Sequence, residues 1–159
     1  MMAFYLILAI FLAVLDQLVK LAVRQQMGDG QVIDLIPNLI NLTYQENRGI
    51  SFSLFADLPE SMRALFLTGV SALVVLGLLV YLKKHWPSYQ RGERLGFALI
   101  LGGALGNLID RGWRGSVTDY MHFYYFDQSF FVNNLADDLI SIGFVLVLIY
   151  SFKERVHEK

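Results

Sequence analysis

Cysteine is absent from the 159 residues, which removes disulfide cross-links, thiolate metal sites and a cysteine nucleophile at once. The chain also cannot be lipidated on a cysteine of its own. Histidine is scarce, with three in all, and His122 has no second histidine nearby, which argues against an imidazole metal site. Charge of one sign is lacking too: 13 basic residues face 14 acidic ones for a net charge of −1. No basic patch with interleaved aromatics is present, so a nucleic-acid partner is excluded. The glycine-rich run from Gly102 has no strand before it and no lysine after it in the register of a phosphate-binding loop. What the chain has least of is polar surface. With 55% apolar residues and a mean hydropathy of +0.48, it cannot cover a soluble core of this size, and a single small polytopic membrane domain over residues 1–159 is the better class.

Four apolar segments stand out, at roughly 3–23, 64–82, 95–112 and 136–152, each close to the ~20 residues that span a bilayer core. The first resembles a secretory signal but lacks a basic leader and a small-residue cleavage site. Asp16, Gln17 and Lys20 follow within its helical period, so it reads as a retained transmembrane helix. Lys83, Lys84, His85, Arg91 and Arg94 in one connection, and Lys153, Arg155 and Lys159 in the tail, put both of these stretches and both termini on the cytoplasmic side. Counting back from Lys153 at 1.5 Å per residue covers only ~21 Å of a ~30 Å hydrocarbon core before Asp138. Asp137 and Asp138 therefore belong in the outer third of the membrane, and the same count from Arg94 and Met1 brings Asp110, Arg111 and Asp16 to that level.

Between the first two helices, residues 31–60 show near-alternating polar and apolar positions on either side of Glu46-Asn47-Arg48-Gly49. This predicts a small external β element with its turn at those four residues. Asp16 and Lys20, four apart, share a helix face and can form an ion pair that ties the first helix to its neighbours. Gly102, Gly103 and Gly106 form a small-residue face for close helix approach. Asn107 shares a face with Asp110 and Arg111, either as a helix-end network or in support of a reaction centre. The aromatic-rich connection 112–133 suits a lid or interfacial half-helix. Two carboxylates close together in a low dielectric must share one proton, and so supply an acid and a base where no cysteine and no recognisable serine triad exists. Asp119, closing the outer end of the third helix, and Asp137, opening the fourth, suit that task. A relay of ionisable residues in a small transporter or proton-conducting bundle is the rival from another class, and an inactive signal-peptide-binding scaffold is a third reading.

Four motifs taken together, Asp16-Gln17-x-x-Lys20, Asn47-Arg48-Gly49-x-x-Phe52-Ser53, Gly102 to Arg111, and Val117-x-Asp119 with Asn134-x-Ala136-Asp137, resemble the lipoprotein signal peptidases of bacteria, the type II signal peptidases, which are intramembrane aspartyl proteases. The resemblance runs through nearly the whole chain in family order. It implies an all-α membrane fold of four transmembrane helices with the small β element after the first. It further implies Asp119 and Asp137 as the catalytic pair, with Asp16, Lys20, Asn47, Gly49, Asn107, Asp110, Arg111, Asn134 and Ala136 binding substrate or supporting the site, and with no metal or organic cofactor. The substrate implied is a prolipoprotein bearing a diacylglyceryl cysteine, cut just before that cysteine by a monomer in the bacterial inner membrane. The site would lie near the external face, among membrane lipids, and be open to inhibition by globomycin-type cyclic peptides. Two positions depart from the family pattern: Asn133 stands where an aromatic usually precedes the asparagine, and Asp138 where a small residue follows the aspartate. In a helix Asp138 falls ~100° from Asp137, on an edge with Asn134 and Ser141.

Overall fold

Steps of four and three residues carry Ala9, Ala13, Asp16, Lys20 and Val23 along one side of helix α1 (Met2–Gln26), and these are its buried residues. This is the stripe that faces a protein interior. The opposite side carries Phe4, Ile7, Phe11, Val14 and Leu18, all exposed, an apolar surface far larger than water tolerates and suited to lipid. The computed structural model describes residues 2–28, 30–49 and 59–157. Two further helices share this outward apolar character, α2 (Glu60–His85), which ends in a 3-10 turn at Trp86–Ser88, and α4 (Leu135–His157). The segments Met2–Gln26, Glu60–Ser88 and Leu135–Lys153 are long and apolar enough to cross a membrane.

Helix α3 (Arg91–Arg114) is different. It packs against the other three helices, and its buried set runs from Glu93 through Leu101, Gly102, Gly103 and Gly106 to Asn107 and Asp110. Its charged ends keep it outside the group of long apolar helices, so the fourth span expected at 95–112 is an enclosed central helix whose composition does not by itself mark a span. A capping box between Gln90 and Glu93 starts it, and Gly115 ends it in the left-handed conformation at φ 73°, donating its N–H to Arg111 O at 3.0 Å. A side chain there would be strained, which makes Gly115 the point where helix can turn sharply into strand.

The expectation of an all-α protein is corrected by a four-stranded antiparallel sheet in the order β1-β2-β3-β4. Its strands are β1 (Ile33–Ile36), β2 (Ile40–Asn47), β3 (Val117–Tyr125) and β4 (Gln128–Asn133). The connection 112–133 is therefore largely a hairpin rather than a lid or half-helix. Its run of aromatic and β-branched residues, which suits an interface, suits a pleated surface equally well, and Phe123 stacks on Phe131 across β3 and β4 at 5.0 Å. The first hairpin has a turn that the alternation did not predict. The turn lies at 37–39, where Asn38 adopts φ 63°, while Glu46 and Asn47 sit inside β2 paired with Thr118 and Val117. Asn38 is a lone turn signal between two apolar runs, and its side chain tolerates the left-handed region. Ile50, Phe52, Ser53 and the rest of the second arm expected there lie outside the described residues.

Candidate active site

Asp119 is the third residue of β3, not the end of α3, and this placement brings it to Asn47 on the neighbouring strand. Val117 pairs with Asn47 and Asp119 with Gln45, so Asn47 and Asp119 are diagonal neighbours. Asn47 Nδ2 donates to Asp119 Oδ2 at 2.9 Å, and Asn134 Nδ2 donates to Asp119 Oδ1 at 2.6 Å. Asn134 is fully buried at the start of α4 and caps it, its Oδ1 accepting the backbone N–H of Asp137 at 3.1 Å. Asp137 is half-buried, and its Oδ1 accepts from Asn107 Nδ2 of α3 at 2.7 Å. Burial raises the Asp119 carboxyl above the ordinary aspartate range. The Asn47 and Asn134 amides pull it back, and the nearby charge of Asp137 pushes it further up. Two carboxylates from different elements thus lie within each other's field, each held by asparagine amides.

A second layer fixes these groups. Lys20 Nζ, fully buried, lies 2.8 Å from Asp16 Oδ2 and 3.2 Å from Asp110 Oδ2, and donates to Asn107 Oδ1 at 3.0 Å. Asp110 also accepts the Thr118 backbone N–H at 3.0 Å, while Arg24 Nη1 reaches Asp110 Oδ1 at 3.4 Å and Thr118 Oγ1 at 2.9 Å. Two anions and two cations therefore lock α1, α3 and β3 together, an arrangement tolerable in a low dielectric only because every charge has partners. Asp16 Oδ1 accepts the Ala136 N–H at 3.0 Å. A Cβ on Gly106 would stand 2.5 Å from Asp16 Oδ2, so only glycine lets the carboxylate reach across α3 to the first turn of α4. Gly103 meets the carbonyl of Ala136 in the same way.

Of the three residues on one face of α3, the structure separates two. Asp110 turns to α1 and β3, whereas Arg111 turns to α2, where its Nη1 lies 3.4 Å from Ser71 Oγ. Ser71, Asn107, Arg111 and Asp137 are the polar residues of a cleft of about 290 Å³ between α2, α3 and α4, otherwise lined by Val70, Val74, Val75, Ala104 and Ile140. A larger hollow of about 540 Å³ lies between Glu46, Arg48, Glu60 and Arg114. It contains neither Asp119 nor Asp137, and its charges neutralise one another through Arg48–Glu60 at 2.9 Å and Arg114–Glu46 at 3.3 Å, whereas the smaller cleft is lined by Asp137, though not by Asp119. The two departures from the family pattern meet: Asn133 Nδ2 donates to Asp138 Oδ1 at 2.6 Å.

Gly49, also a candidate, has φ 72° and donates its N–H to Asn47 Oδ1 at 2.9 Å, so it orients Asn47 without facing the carboxylates. Sequence reasoning missed Arg24, Thr118, Tyr120 and Ser71. Arg24 continues the four-residue step from Asp16 and Lys20, a visible signal. Tyr120, whose hydroxyl accepts the Leu135 N–H at 3.1 Å and whose pKa burial pushes up to about 12, was hidden among the aromatics of its segment.

The arrangement has counterparts in known proteins. The family model of signal peptidase (SPase) II matches residues 8–153. The lipoprotein signal peptidase of Streptococcus pneumoniae is 36% identical over 151 residues, covering 95% of this chain and 94% of the relative. That of Vibrio vulnificus is 37% identical over 157 residues, with 98% and 90% covered. A bacterial membrane enzyme solved by the in meso method superposes with a TM-score of 0.81 at 27% identity, over 99% of this chain and 92% of the other. A match through both aspartate-bearing segments, over nearly the full length of chain and relatives alike, establishes that this chain belongs to the signal peptidase II family.

Proposed function

We infer that this protein is an aspartyl endopeptidase that removes the signal peptide from lipid-modified prolipoproteins, with Asp119 and Asp137 as its catalytic pair. Membership of the signal peptidase II family and relatives named lipoprotein signal peptidase support the substrate class. The observation that carries the residue assignment is the pair itself. Asp119 on β3 and Asp137 on α4 stand within each other's field, held by Asn47, Asn107 and Asn134, with Asp137 opening on an apolar cleft. One carboxylate takes a proton from water as the water oxygen attacks the carbonyl before the modified cysteine, and the other gives a proton to the carbonyl oxygen. As the C–N bond breaks, the carboxyl that took the water proton passes it to the leaving amine, and a hydroxyl of the diol returns a proton to the other carboxylate.

The cleft between α2, α3 and α4 opens toward apolar helix surfaces, which supports entry of lipid and signal helix sideways from the bilayer. In this reading α3 is a fourth span enclosed by the others, Arg111 holds a carboxylate or carbonyl of the substrate by its fork of donors, and Asp16, Lys20, Asp110 and Ala136 support the pair from behind. The enzyme acts as a monomer in the bacterial inner membrane, with both termini cytoplasmic and the sheet on the external side. Globomycin-type cyclic peptides compete for the cleft. The relay expected of a proton-conducting bundle is disfavoured, because Asp16, Lys20, Arg24 and Asp110 converge at one level, and the buried Glu93, at the other end of α3, is separated from them by the apolar and glycine residues of that helix.

The test is turnover of a purified diacylglyceryl prolipoprotein in detergent by Asp119→Asn and Asp137→Asn. Each variant loses nearly all activity while remaining folded. Retention of more than about a tenth of the wild-type rate by either, less than the ~10²-fold that general acid–base catalysis supplies, rules out the two-carboxylate mechanism.

A further inference from the structure

The asparagines around the carboxylate pair carry a consequence that rests on reading Asp119 and Asp137 as catalytic. An asparagine amide offers an oxygen that accepts and a nitrogen that donates, and which of them faces a carboxylate must be settled by its other neighbours. Here every one of those neighbours can only donate. Gly49 N–H points at Asn47 Oδ1 at 2.9 Å, Asp137 N–H at Asn134 Oδ1 at 3.1 Å, and Lys20 Nζ at Asn107 Oδ1 at 3.0 Å. All three amides are thereby turned with Nδ2 toward the carboxylates, onto Asp119 Oδ2, Asp119 Oδ1 and Asp137 Oδ1 respectively. A proton on either oxygen of Asp119 would need an acceptor and would meet a locked donor. Of the four oxygens in the pair, Asp137 Oδ2 is the one with no hydrogen-bond donor among the described residues.

We propose that the shared proton of the resting enzyme sits on Asp137 Oδ2, so that Asp119 is the base and Asp137 the acid, and that Asn47, Asn107 and Asn134 are positioning residues that impose this division. As the water oxygen bonds to the carbonyl carbon, the water proton passes to Asp119 and the Asp137 Oδ2 proton passes to the carbonyl oxygen, giving a neutral diol. The Asp119 proton then moves to the amide nitrogen as the C–N bond breaks, and a diol hydroxyl returns its proton to Asp137. Both carboxyls end as they began. Burial works against charge on Asp119 and so acts on how tightly the pair holds its proton, while the donors decide which oxygen bears it. The buried ammonium of Lys20, two hydrogen bonds from Asp137, contributes to that choice by turning Asn107.

The pH dependence of kcat/KM on a lipid-modified peptide separates this assignment from its reverse. Removing a donor from the ionised base makes the base harder to ionise, so Asn47→Ala moves the acid limb up by about one pH unit and leaves the alkaline limb in place. Asn107→Ala removes the donor that would stabilise ionised Asp137, so it moves the alkaline limb up and leaves the acid limb. Asp16, Lys20 and Arg24 on α1, Asp110 and Arg111 on α3, Asp138 on α4 and Glu46 on β2 are present in both variants and do not produce opposite single-limb shifts. Movement of the alkaline limb by Asn47→Ala and the acid limb by Asn107→Ala overturns the proposal, as does an equal shift of both limbs in either variant. Should either variant turn over too slowly for a profile, binding of uncleaved lipopeptide decides. Asp137→Asn, which mimics a protonated Asp137, keeps Kd within about threefold of the wild type. Asp119→Asn, which sets an amide nitrogen against locked donors, weakens binding more than about tenfold. The reverse order refutes the assignment, whereas turnover by either Asp→Asn variant refutes the catalytic pair itself.

Discussion

Lys20→Met tests whether the buried charges behind the carboxylate pair hold the fold together. Methionine matches the length of the lysine stem and takes away only the ammonium. In the native protein that ammonium lies 2.8 Å from Asp16 and 3.2 Å from Asp110, with all three side chains at most 1% exposed. Asp16 would keep only the Ala136 N–H and the Gln17 amide, at 3.0 and 3.3 Å. Asp110 would keep Arg24 and the Thr118 N–H. Removing one partner of a buried pair costs about 3–5 kcal/mol, a large part of the ~5–15 kcal/mol by which a domain is stable. At about 2–4 °C per kcal/mol for a chain of this size, the melting temperature in detergent should fall by ~6–20 °C, read from tryptophan fluorescence. Asp16→Asn combined with Lys20→Met removes the stranded charge, and should recover more than half of the loss because Asp110 retains Arg24. A single variant that melts within about 2 °C of the wild type, or a double variant no better than the single, would refute the argument that Lys20 acts by neutralising Asp16.

Tyr120→Phe takes the acceptor from the Leu135 N–H at the start of α4 and should cost about 1–3 kcal/mol. Because the Tyr120 hydroxyl holds its proton up to about pH 12, the loss in melting temperature should be unchanged between pH 6 and pH 9. Asp138→Ser should retain turnover but strand the Asn133 amide, whose Oδ1 is already buried without a partner. The melting temperature then drops by ~2–4 °C or more, and Asn133→Phe with Asp138→Ser, which restores the family pattern at both positions, should recover it. A cysteine placed at Ser88 should resist a membrane-impermeant thiol reagent applied to intact cells, and labelling there would reverse the orientation inferred from the basic connection.

What could be read from the chain alone divides along a physical line. Helices announce themselves through long apolar runs, and the ends of α1, α2 and α4 fall within a few residues of the hydropathy boundaries because leaving hydrocarbon is abrupt. Helix α3 was legible in position by the same signal, its apolar run at 95–112, although its charged ends make it the least apolar of the four. The sheet was half legible: β1 and β2 show alternation, but β3 and β4 are so rich in aromatics that interfacial helix and strand make the same demand on composition. Register was out of reach, since a pairing such as Gln45 with Asp119 joins strands on either side of two helices and depends on where α3 stops at Gly115. That register decides the site, because a slip of one residue would turn Asp119 to the opposite face and away from Asn47 and Asn134.

The amide groups of the site were visible as residue types and invisible as orientations. Asn47, Asn107 and Asn134 could each be read as polar support, yet nothing in the sequence says which end of an amide meets a carboxylate. That information resides in the donors behind them, and two of these are backbone groups: the Gly49 N–H, in the bend just after β2, and the Asp137 N–H in the first turn of α4. The third donor is Lys20, held by Asp16 and Asp110. The charged cluster that looks like a separate structural knot is therefore joined to the chemistry through a single amide. If Asn107 transmits the orientation set by Lys20, Lys20→Met should shift the alkaline limb of the kcat/KM profile in the same direction as Asn107→Ala, over and above its effect on melting. A destabilised but unshifted Lys20→Met would confine the lysine to holding the helices together.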